Sequence, residues 1–469
     1  MRLLIFLLTV LFVSALPEQI HLAFADDDDS FNGKGMAISW ATSVPSHSHV
    51  NFGLTPSLGS VAEGYSLYYL DRFHGGMEHH HVVLKNLTAN TVYYYQVGDV
   101  ETNSLSDIYS FLTAPQNMNS TKYPFSFLTF ADMGIYNSNT TFAALRTYMQ
   151  SSEADTLQFV LFNGDIAYAD DAFLHHPSSF KYEYTYNVFM NEIQSTLVRN
   201  QTNFSSAPFL LPILVSPGNH EAECHSFVCK NAQDLKLSLH NFSAYNSRFR
   251  MPSIESGSFS TLPHSPSMWY SLKYGPLWIT GIDTETDYTN SFNDSYVNLP
   301  NGGFGDQISW VSADLAASKK AREEGIISFS IVSGHRPTYT RDSIDENGRP
   351  SGDAKIIQDT FEALFYKNNS TLVCVGHTHA TEITYPVFNS TVFSTSYDSP
   401  QAPIHYLAAS VGNDEGLSKL SGPIPSWSRY SNGNDFGFSV VHVLSEKQMQ
   451  IEFIANNGLT KLDVMTINL

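Results

Sequence analysis

Five short motifs place hard oxygen and imidazole donors at comparable points along the chain. They are Asp132-Met133-Gly134, Gly164-Asp165-Ile166-Ala167-Tyr168, Gly218-Asn219-His220-Glu221, Val332-Ser333-Gly334-His335 and Gly376-His377-Thr378-His379. Carboxylate, phenol, amide and imidazole without thiolate suit two cations of the iron, zinc or manganese kind. A dinuclear site needs one ligand that touches both ions and several that touch one. Asp165, with a glycine beside it, is the candidate bridge, and Asp132 is a second anionic ligand suited to a trivalent ion. His377 and His379 stand two apart in a loop, so their rings can diverge to different metals. His335 and Asn219 complete the second ion, and the neutral amide of Asn219 adds no charge to it.

The elements that must carry these groups are legible beside them. Each motif follows an apolar, β-rich run: Phe125 to Ala131, Leu157 to Phe162, Phe209 to Val215, Ile326 to Val332, and Thr371 to Val375. Buried strands that deliver ligands at their C-terminal ends predict an open α/β sheet with a site along one edge. Helical spacing over Thr141 to Ser151, Asp306 to Glu323 and Asp353 to Tyr366 supplies the covering layers, with Ile308, Val311 and Leu315 on one face of the second. The last 70 or so residues return to strands that extend the sheet. Residues 16–115 read differently. Short β-branched and aromatic runs such as Met36 to Ala41, Val92 to Val97 and Ile108 to Leu112 alternate with turns, the rhythm of a β-sandwich. The predicted organisation is a signal peptide over 1–15, a β-sandwich over 16–115, a linker over 116–123 and an α/β domain over 124–469.

Composition narrows the function classes. With 25 basic and 45 acidic residues among 469, the formal charge is −20, which would repel nucleic acid and anionic membranes. An anionic substrate then needs strong local positive charge, which a metal pair would supply. Arg2, the apolar run Leu3 to Val13 and Ser14-Ala15 form a secretory signal, too short to span a bilayer; the C-terminus carries no hydrophobic tail for a lipid anchor. Asn-x-Ser/Thr acceptors at Asn86, Asn119, Asn139, Asn200, Asn203, Asn241, Asn293, Asn368, Asn369 and Asn389 support the secretory route, and adjacent Asn368 and Asn369 are not expected to carry sugar together. The predicted location is secreted or lysosomal. Of three cysteines, Cys224 and Cys229 flank a short loop and are expected to bond in an oxidising compartment, whereas Cys374 reads as a buried thiol. Asp26 to Asp29 lacks the spacing of a calcium loop and reads as a solvated turn. His79-His80-His81 is expected to precede a strand and to serve packing or edge exposure; His175-His176 lies in a loop that borders the cleft at most.

The combination Asp-x-Gly, Gly-Asp-x-x-Tyr, Gly-Asn-His-Glu, Val-x-x-His and Gly-His-x-His resembles the purple acid phosphatases, within the metallophosphoesterases. The likeness covers nearly the whole chain, and Leu87 to Tyr95 resembles a fibronectin type III segment. Tyr168 is the most specific element. The resemblance implies a metallophosphoesterase-type layered α/β domain behind a fibronectin type III-like all-β domain. It implies that Asp132, Tyr168 and His379 hold Fe(III), that Asp165 bridges, and that Asn219, His335 and His377 hold a divalent iron, zinc or manganese ion. The implied reaction is hydrolysis of small phosphate monoesters by a metal-bound hydroxide at acid pH. His220 contacts phosphate or leaving group, with an orienting role as its alternative, and Asn219 and His335 border the substrate. The plant enzymes carry a histidine pair beyond the Val-x-x-His motif. Here that stretch reads Arg336 to Asp345 without histidine, which leaves the general acid open; Arg336, Tyr339 and Arg341 are candidates for phosphate contact or for structure. A phosphodiesterase or nucleotide pyrophosphatase on the same scaffold, and a non-catalytic secreted binding protein, stand as alternatives. Nothing in the sequence identifies an oligomeric interface.

Overall fold

The computed structural model describes residues 16–25, 35–71, 75–170, 182–199, 205–222, 241–252, 267–292 and 301–469. The signal segment, Asp26 to Asp29, His175-His176, Cys224, Cys229 and the acceptors Asn200, Asn203 and Asn293 lie outside the described residues.

Two sheets make the N-terminal sandwich. One has the strand order Glu18–Ala25, Gly35–Thr42, Gly75–Leu84, Tyr65–Asp71, and the other runs Tyr109–Leu112, Val92–Asp99, His49–Gly53, Ser60–Glu63. Trp40, Ile38, Val82, Tyr95, Val97 and Phe111 fill the space between them. His79, His80 and His81 are inside the Gly75–Leu84 strand rather than ahead of it, and all three are buried. The expectation of an edge position is therefore corrected. Successive strand residues point to opposite faces, and here both faces are covered.

The α/β part is built from two sheets packed face to face. The first runs Ile213–Val215, Leu157–Phe162, Phe125–Phe130, Gly437–Ser445, Gln448–Ala455, Thr460–Asn468, so the C-terminal strands extend it as expected. The second runs Tyr270–Tyr274, Leu277–Gly281, Phe329–Ser333, Leu372–Val375, Ile404–Ala408, Thr381–Thr384, Ser428–Asn432. Phe127, Phe159, Ile279, Ile331, Leu372 and Cys374 belong to the core they share. The Asn139–Met149 and Tyr182–Thr196 helices pack against that core, while Gln307–Glu323 covers the second sheet through Val311 and Leu315. The helix expected from Asp353 is Gly352–Ile357, then a π-turn over Gln358–Glu362, then Ala363–Lys367.

One expected strand divides. Phe209 to Val215 splits at Pro212, which has no N–H for a ladder. Phe209–Leu210 joins the N-terminal sandwich beside Tyr109–Leu112, and Ile213–Val215 joins the α/β sheet beside Leu157–Phe162. The chain thus stitches the two parts together immediately before Gly218-Asn219-His220.

Candidate metal centre

Parallel strands of both sheets end at the same edge. Phe125–Phe130, Leu157–Phe162 and Ile213–Val215 deliver Asp132, Asp165, Tyr168, Asn219 and His220; Phe329–Ser333 and Leu372–Val375 deliver His335, His377 and His379. The edges are locked across the gap. Ser333 Oγ donates to Asn163 Oδ1 at 2.7 Å, and Ala131 N donates to Ala408 O at 2.9 Å. Backbone strain concentrates here, because Asp132, Asp165, Ala167, Tyr168 and His377 all have φ between 51° and 76°. Two motif glycines admit neighbouring ligands: a Cβ on Gly218 would stand 2.2 Å from Asp165 Oδ1, and one on Gly376 would stand 2.4 Å from Asp132 Oδ2.

The donor atoms fall into two overlapping groups. In the first, Tyr168 Oη lies 3.0 Å from Asp132 Oδ1, 2.9 Å from His379 Nε2 and 3.4 Å from Asp165 Oδ2. In the second, His335 Nε2 lies 3.0 Å from Asp165 Oδ2 and 3.1 Å from Asn219 Oδ1, which is 2.8 Å from His377 Nδ1. Donor atoms of one Asp165, His335 and His377 set all fall within 4.8 Å of one another. Ligands at right angles around an ion about 2.1 Å away stand about 3 Å apart. The spacing therefore fits two ions, and Asp165 Oδ2 belongs to both groups.

The second atom of each carboxylate and imidazole is engaged elsewhere, which fixes the atom left to face an ion. Asp132 Oδ2 accepts from His377 N at 2.8 Å, and Asp165 Oδ1 accepts from His220 N at 3.0 Å. His335 Nδ1 donates to Asn163 O at 2.8 Å and His379 Nδ1 to Gly416 O at 3.0 Å, so both present Nε2. His377 is reversed: Nδ1 faces the centre, while Nε2 lies 3.8 Å from Asp353 Oδ2 and 3.1 Å from Arg336 Nη1. Glu221 binds two loops at once, accepting from Gly218 N, Asp165 N and Ile166 N at 2.7, 3.0 and 2.8 Å.

Electrostatics follow from dense carboxylate packing. Burial, then Asp132 and Asp165, raise the Tyr168 phenol well above its usual value, so a strongly Lewis-acidic ion is needed to bind it as phenolate. Burial opposes charge on His335, but Asp165 and Asp132 outweigh it and lift its pKa to about 9. Burial and Arg336 lower His377 to about 4. Burial likewise opposes charge on His220, yet Asp170 and Asp165 raise it well above the ordinary histidine value. Its Nδ1 lies 3.0 Å from Asp170 Oδ1, and its Nε2 3.9 Å from the shared Asp165 Oδ2.

All eight residues singled out from the sequence are gathered at this edge. Of the three further candidates, only Arg336 reaches it. Arg336 is bonded to Glu285 and Asp353 and stacks 3.8 Å over Phe292. Tyr339 turns to Glu362, and Arg341 to Ser431 Oγ and Gly422 O. Sequence reasoning missed Asp170, Asp353 and the loop after Val411, where Gly416 O holds His379 and Glu415 Oε2 lies 3.7 Å from His379 Nε2. Only Asp170 carried a signal, two residues beyond Tyr168 in one polar stretch.

The chain matches three family descriptions: purple acid phosphatase N-terminal domain over residues 17–113, calcineurin-like phosphoesterase over 125–381, and iron/zinc purple acid phosphatase-like protein C over 402–464. Acid phosphatase A of Cryphonectria parasitica is 30% identical over 82% of this chain and 80% of its own length. Human acid phosphatase type 7 is 27% identical over 95% of this chain and 89% of its own. Among solved structures, the purple acid phosphatase PPD1 of yellow lupin seeds shares the fold, with a TM-score of 0.71 at 16% identity over 97% of this chain and 74% of that one. With both domain types matched in order and a relative at this identity over most of its length, the chain belongs to the calcineurin-like phosphoesterases and, within them, to the purple acid phosphatases.

Proposed function

We propose that the chain is an acid phosphatase that hydrolyses small phosphate monoesters at an Fe(III)–M(II) pair, M being zinc, iron or manganese. The observation that carries this reading is the shared oxygen, Asp165 Oδ2, within 3.4 Å of Tyr168 Oη and 3.0 Å of His335 Nε2. Asp132, Tyr168 and His379 would hold the ferric ion, Asp165 would bridge, and Asn219, His335 and His377 would hold the divalent one. The hard anionic set of carboxylates and phenol suits a trivalent ion, and the imidazole-rich, amide-containing set suits a softer divalent ion. When bound, the pair supplies Lewis-acid polarisation of the ester and a lowered pKa for water.

The chain's own residues do the rest. Asp170 fixes the His220 ring through Nδ1 and, with Asp165, favours the imidazolium, whose Nε2 then has a proton to give the departing alcohol oxygen. The main-chain N–H of His220 holds Asp165 Oδ1, tying the proton donor and the bridge to one peptide unit. Asn219 and His335 border the phosphate beside His220. Glu415 places a carboxylate on the rim, and Arg336, engaged with Glu285 and Asp353, serves the His377 side of the site.

The secretory route, N-glycosylation and a Cys224–Cys229 bond belong to the same reading, supported by the leader and the acceptors in the sequence. No helix among the described residues is long and apolar enough to cross a membrane. The test compares hydrolysis of a phosphomonoester and a bis-ester by the same metal-loaded protein between pH 4 and 8. Faster monoester turnover with an acid optimum is expected. Preference for the bis-ester would make the chain a phosphodiesterase, and metal uptake without turnover would make it a binding protein.

A further inference from the structure

Val387–Phe388 and Thr391–Val392 form a hairpin closed by two residues, with Val387 opposite Val392 and Phe388 opposite Thr391. Asn389 and Ser390 both have positive φ, 49° and 58°, as a type I′ turn demands. Asparagine suits the first turn position, but glycine is the residue that turn chemistry prefers at the second. The sequence there is Asn389-Ser390-Thr391, an N-glycosylation acceptor.

The acceptors differ in what the fold does with them. Asn368 is buried with Nδ2 donating to Leu364 O at 2.9 Å, and Asn241 uses both amide atoms on the Gly302 peptide at 3.2 and 2.8 Å. Asn389 is exposed, and its backbone rather than its side chain is held: Asn389 N donates to Glu362 Oε1 at 2.9 Å and Ser390 N to Tyr339 Oη at 3.0 Å. The strand pairing puts Phe388 and Thr391 side by side on one face, flanking the turn. Phe388 is stacked on Tyr366 with centroids 4.0 Å apart, and Phe393, 44% exposed, lies 5.6 Å from Tyr366. Phe388 is only partly buried and Phe393 is exposed, so aromatic surface remains beside this acceptor asparagine that the C–H face of a pyranose would cover.

We propose that Asn389 carries an N-linked oligosaccharide whose first N-acetylglucosamine packs on Phe388 and the Thr391 methyl and clamps this hairpin. The inference rests on the secretory reading above. Transfer from a lipid-pyrophosphate-linked oligosaccharide forms the bond from Asn389 Nδ2 to sugar C1. The C1–O bond to pyrophosphate breaks, and one amide proton leaves with it. The clamp reaches the active side of the fold through Tyr339, three residues past Arg336.

Full-length protein secreted from a eukaryotic host tests this by glycopeptide mass spectrometry and hydrogen exchange. Asn389 should be occupied. Trimming to a single sugar should leave exchange over 385–393 unchanged. Thr391→Val removes the acceptor while keeping Asn389 in the turn, and should speed that exchange about three- to tenfold. Phe388→Ala loosens the hairpin by itself, so its effect is read in both backgrounds: it should cost more with the sugar present than without. Occupancy of other acceptors with Asn389 bare overturns the proposal, as does equal exchange with and without the sugar, or equal Phe388→Ala effects in both backgrounds. No sugar at any acceptor overturns it too, and removes the secretory reading along with it.

Discussion

Two groups of histidines differ in their surroundings: the sandwich triplet is buried, and of the edge set His335 and His379 are buried while His377 is partly exposed. His79, His80 and His81 are consecutive in one strand of the sandwich; His335, His377 and His379 come from two strand ends of the α/β part. Two of the sandwich histidines, His80 and His81, are satisfied by hydroxyls, a carbonyl and a ring. His80 Nδ1 and Nε2 lie 2.8 and 2.9 Å from Ser48 Oγ and Thr42 Oγ1, and its ring stacks on Trp40 at 4.9 Å. His81 spans Ser39 Oγ at 2.8 Å and Ser247 O at 3.0 Å, the second contact crossing to the α/β part. Burial lowers these rings to about 4 for His80 and about 3 for His81. The edge histidine His335, equally buried, is lifted to about 9 because Asp165 and Asp132 outweigh desolvation. Burial alone lowers a histidine's pKa, and only a close pair of carboxylates, as at His335, turns the shift upward.

Four substitutions bear on that contrast. Asp165→Asn removes the anionic oxygen common to both donor groups. It should lower activity about 10³-fold, the equivalent of several kcal/mol, and halve or abolish metal content by elemental analysis. His80→Ala should leave kcat and metal content unchanged while lowering unfolding free energy by about 3 kcal/mol, through a cavity and stranded hydroxyls. Lost activity at constant fold would break the contrast.

His405 sharpens it. It is buried, edge-on to Tyr339 at 4.9 Å, with neither ring nitrogen bonded among the described residues, and burial lowers its pKa to about 3. An unfolded histidine titrates near 6.5, so the unfolded state binds the extra proton first. Stability from a neutral His405 is complete above about pH 6.5 and is lost as pH falls toward 3. At pH 4.5 the loss should be about 2–3 kcal/mol, and His405→Leu should escape it, as read from denaturant melts at pH 4.5 and 7. Asp353→Ala should have the smallest effect, a divalent-ion affinity about tenfold weaker by titration with intact ferric binding, because His377 is the one proposed ligand it faces, beside its pair with Arg336.

Much of this contrast was legible in the sequence. A ligand at the end of an apolar run is a local pattern, and all five motifs are of that kind. Asp353 and Glu285 were illegible because each reaches the site from a different element and carries no periodic mark. The histidine triplet misled about position, since a strand buried on both faces has no polar alternation to place it. The run from Phe209 to Val215 looked continuous because both halves are apolar. Its division at Pro212 follows from which sheet each half meets, a tertiary fact.

The central claim is that Tyr168 and the shared Asp165 oxygen hold an iron-containing pair. Its most direct test is the visible absorption spectrum of natively purified protein, taken with metal analysis, for the wild type and Tyr168→Phe. The account predicts a broad tyrosinate-to-iron band, two metals per chain with at least one iron, and loss of the band in Tyr168→Phe. A colourless protein with two zinc or manganese ions, or a band that survives the substitution, would contradict it.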